Sequence, residues 1–325
     1  MRELTKKRNL PGIMHSLGIL LLYGATIAVP LYFFTKQMWV LMVVTCYLHS
    51  MMHGFVGMEA SVHELSHGTA IKNKWVNEFF YRLFCFLSWN KPTHFRFSHA
   101  GHHQTTVHAE FDKEVILKPH PLRFFFDYLG WFTFDWAKFK MVMFANIAHF
   151  FGRSDADVFF WDPLFPESDP RRKKMVQWAR FLVIGHLALV TVFIYFEIWV
   201  LIYLITCSYF FADFLPRGCG MLQHIGLSPN VPDWRLSCHT IKFGPIMAFL
   251  YWNMNYHIEH HMYAAVPYYN LKKLHKIMAG DTPKPVKGFL RGVRHVLSIQ
   301  KRQRADESYV FVPTFPATAG PPKFT

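Results

Sequence analysis

Charged residues are scarce in this 325-residue chain: they make up 17% of it, whereas hydrophobic residues make up 52%. This composition is too apolar for a disordered chain and too poor in charge for an ordinary soluble enzyme of this length. The five cysteines include no C-x-x-C pair, so neither a disulfide framework nor a thiolate metal site is expected. The sequence also lacks the G-x-G-x-x-G dinucleotide motif, haem-attachment motifs and iron–sulfur cysteine spacings.

Charge is missing altogether from two long apolar runs near the N-terminus. Residues 9–35 contain no Asp, Glu, Lys or Arg, and residues 37–58 contain only His49 and His53 as basic side chains. Each run exceeds the roughly 20 residues that cross a bilayer core, and only Lys36 separates them, which predicts a helical hairpin. A cleaved signal peptide is the alternative, but the first run is longer than an h-region and a second span follows at once.

Two shorter apolar runs, 181–196 and 198–212, are separated only by Glu197. Runs of this length are also compatible with buried core helices, but flanking side chains such as Trp178 and Trp199 can extend them by snorkelling. We therefore predict an all-α integral membrane protein with four transmembrane helices in two hairpins, at about residues 13–34, 38–56, 179–196 and 198–214.

The positive charges indicate an orientation. Of the 35 lysines and arginines, all except Lys36 and Arg180 lie before the first predicted span, between the second and third, or after the fourth. The positive-inside rule then places both termini and the central segment on the cytoplasmic side. The net charge of +14 therefore indicates topology and contact with anionic membrane lipids, and no nucleic-acid-binding module is present.

The cytoplasmic parts are predicted to form a helical cap from residues 57–177 and 216–280, followed by a basic and proline-rich extended tail at 281–325. Residues 77–89 and 121–151 place aromatic side chains at helical spacing among Lys, Asp and Arg. Patterns of this kind are typical of helices that lie on the bilayer surface.

Histidine is the unusually abundant residue, with 20 copies, and eight of them fall in three clusters: H-E-L-S-H at 63–67, H-A-G-H-H at 99–103 and H-I-E-H-H at 257–261. Spacings of three and four residues share one face of a helix, so each cluster directs two or three imidazoles to one place. His224, just after the fourth predicted span, is a ninth candidate. The predicted metal ligands are His63, His67, His99, His102, His103, His224, His257, His260 and His261.

Other histidines near the spans have a simpler interpretation. His15, His49, His53 and His186 are expected to be packing residues that hydrogen-bond within the protein.

The number of clustered imidazoles indicates the kind of metal site. Imidazole suits iron, zinc, copper and nickel, but a catalytic zinc takes three protein ligands and a structural zinc four, so eight or nine match two ions. A membrane zinc metalloprotease is the alternative, because residues 63–67 satisfy H-E-x-x-H with Glu64 as general base. That alternative leaves both H-x-x-H-H clusters unexplained, and the chain has no Asp-Gly dipeptide to supply a third protease ligand.

With H-E-L-S-H-G, S-H-A-G-H-H and N-Y-H-I-E-H-H-M-Y among the predicted spans, the chain resembles the membrane fatty-acid desaturase superfamily over about residues 10–280. The resemblance implies one desaturase-like domain over residues 1–325. It also implies a non-haem di-iron centre held by the eight clustered histidines, with His224 matching an extra ligand. Zinc accepts the same ligands and can replace iron in purified samples.

The chain departs from the superfamily pattern at two positions. Many relatives have Pro where Ala264 stands, and acyl desaturases with an Asn four residues before the extra histidine have Gly220 here. Gln223 or Asn255 could replace that Asn through a water molecule.

Carboxylates are expected near the metals, because neutral imidazoles leave the charge of two ferrous ions uncompensated and ligand rings need hydrogen-bond partners to orient them. Glu64 and Glu259 lie inside the clusters, and Asp112 follows the second one; these three are the predicted catalytic carboxylates. Glu110 and Asp213 are further candidates.

The resemblance implies O2-dependent oxidation of a long acyl or lipid chain, with fatty-acid desaturation as the first expectation. Hydroxylation and decarboxylation to an alkene are the alternatives within the superfamily, and a non-catalytic lipid receptor is a remote one. Because the sequence lacks cofactor motifs of its own, electrons must come from a separate ferredoxin, rubredoxin or cytochrome, for which the basic cytoplasmic face is a suitable docking surface.

Overall fold

The computed structural model describes residues 1–112, 114, 128–153 and 164–324, and these are largely helical. Up to residue 195 the α-helices include α1 (Leu10–Thr35), α2 (Trp39–His53), α3 (Ser61–Ser66), α4 (Lys74–Leu87), α5 (Pro92–Gln104), α6 (Trp136–Phe150) and α7 (Pro170–Tyr195). They are followed by α8 (Phe214–His224), α9 (Trp234–Ser237), α10 (Pro245–Leu250), α11 (His257–Met262), α12 (Tyr268–Met278) and α13 (Phe289–Ala305). Two short strands, β1 (Ile241–Lys242) and β2 (Val286–Lys287), pair in parallel.

The first two helices form the predicted hairpin. α1 packs along α2, and Gln37 turns the chain between them with a left-handed φ of 55°. α2 continues through a 3-10 turn at Gly54–Val56 towards α3. Apolar side chains such as Leu21 and Val40 point outward, 74% and 78% exposed, as expected for surfaces that face lipid.

Three helical stretches of the described residues are long and apolar enough to cross a membrane: Leu10–Thr35, Trp39–Ser66 and Pro170–Tyr195. They contain the first three predicted spans, 13–34, 38–56 and 179–196, except for one end residue each of the second and the third. The protein is therefore an α-helical membrane protein.

The fourth predicted span, 198–214, is not one continuous α-helix. It contains a π-helical turn, Ile202–Cys207, and a 3-10 turn, Ser208–Phe210, before α8 begins. A π-helical turn displaces the backbone hydrogen bonds, and here the carbonyl oxygen of Leu204 accepts a hydrogen bond from Nε2 of His49 at 2.8 Å. The expectation of a regular fourth helix is corrected in this respect, and the four-span topology stays a prediction.

The histidines predicted to be packing residues are confirmed as such. All four are buried, and each donates a hydrogen bond from Nε2 to a backbone carbonyl oxygen. The pairs are His15 with Phe249 (3.0 Å), His49 with Leu204 (2.8 Å), His53 with Leu87 (3.0 Å) and His186 with Phe86 (3.1 Å). Paired in this way, an imidazole can be buried without leaving a polar group unsatisfied.

Both segments predicted to form surface helices, 77–89 and 121–151, are largely helical where the structure describes them, and their position on the bilayer surface stays a prediction. α4 corresponds to the predicted helix 77–89 and begins after Asn73, whose Oδ1 accepts hydrogen bonds from two amides of the first turn. Tyr81 and Phe84 are fully buried, whereas Trp75 is 76% exposed on the opposite face. Of the predicted helix 121–151, α6 covers 136–150, and residues 121–127 lie outside the described residues, as do 113, 115–120 and 154–163 of the predicted cap.

The segment predicted as an extended tail, 281–325, is structured over its first part. β2 pairs with β1, and α13 packs against α8 with Val296 and Ile299 buried. The many basic residues of α13 concealed this amphipathic pattern, because they occupy its exposed face. Residues 306–324 contain neither helix nor strand.

Gly12 provides a test of how α1 is seated on the cap. A Cβ atom at this position would lie 2.2 Å from the carbonyl oxygen of Ala70 and 2.5 Å from Ile71 Cγ1, whereas Gly24 on the same helix has no neighbour within 4 Å. We expect Gly12→Ala to cost about 1–3 kcal/mol through overpacking and to lower the melting temperature of the purified protein. Gly24→Ala is the matched control, and equal melting temperatures for both variants would contradict this seating.

Candidate metal centre

The nine predicted ligands lie on, or directly after, four helices that converge. α3 carries His63 and is followed directly by His67, α5 carries the second cluster, α11 carries the third, and His224 is the last residue of α8. Within each helix the spacings of three and four residues place the rings on one face. The convergence of the four helices therefore brings all nine rings together.

The rings form two groups, each with its ligand nitrogens within 4.8 Å of one another. The histidines of one sequence cluster do not all belong to the same group, because the second and third clusters each contribute to both groups. The larger group is His63, His67, His99, His103 and His260, and the smaller group is His102, His224, His257 and His261.

The distances between ring nitrogens show that the groups fit metal ions. In the smaller group, Nε2 of His257 lies 2.9 Å from Nε2 of His224 and 3.0 Å from Nε2 of His261. In the larger group, Nε2 of His99 lies 3.2 Å from Nε2 of His67 and 3.1 Å from Nε2 of His103. Separations near 3 Å are those of adjacent ligands around an ion with metal–nitrogen bonds of about 2.1 Å.

The outer nitrogens of four rings have fixed partners. Nδ1 of His102 donates to Asp112 (2.8 Å) and Nδ1 of His99 donates to Glu114 (3.0 Å). Nδ1 of His224 donates to the carbonyl of Ser237 (2.9 Å), and Nδ1 of His261 lies 3.0 Å from Oγ1 of Thr106. Because Nδ1 of these rings carries the proton, Nε2 presents a lone pair to the group, and lone pairs 3 Å apart need a cation between them.

Among the predicted carboxylates, only Asp112 contacts a ligand ring. Glu64 accepts hydrogen bonds from Thr69 (3.4 Å) and the amide of Tyr268 (3.3 Å), so it holds the first cluster to the start of α12. Glu259 accepts from Thr240 (2.6 Å) and His275 (2.5 Å) and thus holds α11 to its neighbours.

The further candidates lie elsewhere. Glu110 is exposed, and Asp213 pairs with Lys138 at 2.6 Å. Gln223 and Asn255, considered as replacements for the missing Asn, donate their amides to the hydroxyl of Tyr251 (2.6 Å) and the carbonyl of Ile241 (2.8 Å).

Glu114 and Thr106 were missed by sequence reasoning. Both lie in the loop after the second cluster, and neither belongs to a histidine motif. Thr106 also donates its hydroxyl to the carbonyl of His102 at 2.7 Å and accepts from Trp234 at 3.3 Å, so its hydroxyl links both H-x-x-H-H clusters. The only available signal was proximity to Asp112.

Burial keeps most of the ligand rings neutral, whereas the carboxylates of Asp112 and Glu114 raise the pKa of His102. Removal from water, reinforced by neighbouring imidazoles, lowers the pKa of His67, His103, His257, His260 and His261 well below the usual value. The same causes lower the pKa of His224 to about 3. Metal ions bind the neutral form of imidazole, so burial prepares these rings for coordination at neutral pH.

One cavity of about 350 Å³ opens onto both groups. His63 and His99 of the larger group and His102 and His224 of the smaller group lie in its wall. The aromatic and aliphatic part of the wall includes Trp89, Phe95, Trp131, Met141, Val142 and Ile225. Its volume and mixed lining are typical of a small-molecule site.

Comparison with known proteins agrees with this site. The family model described as fatty acid desaturase matches residues 37–290, which include all three histidine clusters and His224. No curated protein matches the chain.

Metal content tests the two groups. We expect about two metal ions per purified chain, and a lower metal content after His224→Ala, because the smaller group would lose one of its four ligands. His108→Ala is the matched control, since His108 belongs to neither group and its Nδ1 donates to the carbonyl of Thr106. Elemental analysis gives the stoichiometry, and a single zinc that survives His224→Ala would contradict a two-ion site.

Asp112 provides a second test. Asp112→Asn removes the carboxylate that holds Nδ1–H of His102, so the ring can adopt the wrong tautomer, and metal affinity should fall roughly 10–100-fold. Glu110→Gln is the control, because Glu110 is an exposed acid in the same loop. Titration with a competing chelator measures the affinity. An unchanged affinity in Asp112→Asn would mean that another contact orients His102.

Proposed function

The chain belongs to the fatty acid desaturase family, and we propose that this oxidoreductase removes hydrogen from an aliphatic chain of a membrane lipid or fatty acid with O2. The observation that supports the proposal best is the cavity with apolar walls that opens onto four histidines, two from each group. A C–H bond offers no polar handle, so a substrate of this kind must be positioned by the shape of such walls.

The proposed cofactor is a pair of non-haem iron ions. One ion would be held by the larger group, which is His63, His67, His99, His103 and His260. The other ion would be held by the smaller group, which is His102, His224, His257 and His261. Bound iron supplies the O2-dependent oxidising power for an unactivated C–H bond. Asp112 and Glu114 are the proposed source of compensating negative charge, because each accepts a hydrogen bond from a ligand ring.

Desaturation is the preferred reaction. In the balanced reaction, one O2 takes up two hydrogens from the substrate. It also takes up two electrons and two protons from outside, and it is reduced to two water molecules. The chain has no motif for a redox cofactor, so a ferredoxin, rubredoxin or cytochrome is the proposed electron source. Exposed Lys272, Lys276, Arg291 and Arg294 on α12 and α13 suit an acidic donor of this kind.

The protease alternative fits less well. A metalloprotease needs the Glu of H-E-x-x-H free to act on water, and Glu64 instead accepts hydrogen bonds from Thr69 and the amide of Tyr268. His63 and His67 also share their group with three further histidines.

The proposed topology has four spans with both termini and the metal centre on the cytoplasmic side, as the distribution of Lys and Arg indicates. Reporter tags at either terminus or beside Lys173 should then be cytoplasmic, and a tag at Lys36 should be on the opposite side. A C-terminal tag on the opposite side would mean that residues 198–214 do not cross the membrane.

Lipid analysis tests the reaction. We expect mass spectrometry of lipids and volatiles from cells carrying the gene to show acyl chains lighter by one H2 than in cells with His260→Ala. Products heavier by one oxygen would instead indicate a hydroxylase, and odd-chain terminal alkenes a decarboxylase. If no lipid changes, and none stimulates oxygen consumption by the purified protein with a reduced ferredoxin, the proposed oxidase activity is wrong and a lipid receptor becomes the better interpretation.

A further inference from the structure

The cavity wall contains one carboxyl group, that of Glu59, in addition to the carboxylates described above. Glu59 lies in the turn before α3, four residues ahead of His63, and lines the same cavity as the ligands His99, His102 and His224. Among the described residues, nothing forms a hydrogen bond with its carboxyl group. Its hydrogen-bonding capacity is therefore free for a molecule that enters the cavity, and an apolar chain that displaced water from it would leave the carboxyl group unpaired at a cost.

The space for this carboxyl group depends on Gly220. One face of α8 lines the cavity through residues at helical spacing, which are Arg217, Gly220, Met221 and His224. A Cβ atom at Gly220 would lie 3.1 Å from Oε2 of Glu59. Glycine inside a helix costs about 1 kcal/mol relative to alanine, and here it leaves room beside the carboxyl group of Glu59 that a larger side chain would take.

The cations of the cavity wall already have partners. Lys138 contacts Asp213 at 2.6 Å, and Arg217 contacts Asp213 at 3.1 Å and Asp135 at 3.2 Å, so two cations face two carboxylates. Lys91, the remaining described lysine of the wall, lies 3.2 Å from Nδ1 of His149. Carboxylates therefore compensate the charges of Lys138 and Arg217, and an ionised Glu59 would repel a substrate carboxylate.

From these observations we propose that Glu59 is a specificity-determining residue that accepts a hydrogen bond from a donor group of the substrate, a hydroxyl or an amide N–H. The substrate class is then an aliphatic chain with a neutral donor near the reacting carbons, rather than a chain that ends in a free carboxylate in this cavity. The inference rests on the proposed function only in taking the cavity as the substrate site. A site that pairs with a polar group discriminates strongly against analogues that lack it, because its own group is then left unpaired.

Binding without turnover tests the proposal. The probes are radiolabelled hexadecanol and hexadecyl methyl ether, which share the chain and the oxygen and differ in the donor, together with hexadecanoate. They are bound to the metal-loaded, full-length protein in nanodiscs without O2. We expect the wild type to bind hexadecanol about ten-fold more tightly than the ether or the carboxylate, since a hydrogen bond to a charged group is worth roughly that factor.

Glu59→Leu should abolish the preference for hexadecanol over the ether, and Glu59→Gln, which keeps a carbonyl acceptor, should retain part of it. Gly220→Val is a second route to the same loss, because its side chain would displace the Glu59 carboxyl group without removing it. Metal content and melting temperature of each variant show whether the ligand groups are intact.

The proposal is wrong if the wild type binds hexadecanol and the ether equally, or if Glu59→Leu keeps the preference while its metal content is unchanged. Failure of the proposed oxidase activity has a different signature: no lipid stimulates oxygen consumption, while the binding preference and its loss in Glu59→Leu are still measured.

Discussion

The constraint on which this structure depends is the electrostatics of imidazole nitrogens packed about 3 Å apart. Hydrogen bonds to Asp112, Glu114, Ser237 and Thr106 hold the protons of four rings on the outer nitrogen, so the inner nitrogens present lone pairs to each other. Lone pairs at this distance repel unless a cation lies between them. The short helices and the carboxylates of Asp112 and Glu114 hold the rings in these two groups.

Histidine has opposite roles in two parts of the molecule. At the metal centre the rings offer lone pairs, and burial keeps most of them neutral. In and beside the apolar helices, His15, His49, His53 and His186 donate to backbone carbonyls instead. The bond from His49 to Leu204 satisfies a carbonyl at the π-helical turn, and so allows an irregular segment in apolar surroundings. A buried imidazole is stable in either role, because each supplies the partner that water would otherwise provide.

The cavity combines two kinds of selection. Its aromatic and aliphatic walls can position a chain only by shape, whereas Glu59 adds one polar contact, and Gly220 leaves the room for it. The paired charges of Lys138, Arg217, Asp135 and Asp213 keep the neighbouring wall neutral. Under the proposed function, such an arrangement would decide which part of a lipid approaches the metals, while the metals themselves supply the reactivity.

The sequence by itself determined the helical membrane class, the first hairpin and the nine histidines that gather in two groups, because runs without charge and spacings of three and four residues are local properties of a chain. It did not reveal that residues 198–214 form π and 3-10 turns, that residues 289–305 form a packed helix, or that each H-x-x-H-H cluster serves both groups. The partners Glu114 and Thr106 and the cavity carboxyl of Glu59 were also invisible, since their roles come from contacts between segments distant in sequence. Only the tertiary structure decides such contacts, because the packing of helices, not the spacing of residues, sets which side chains meet.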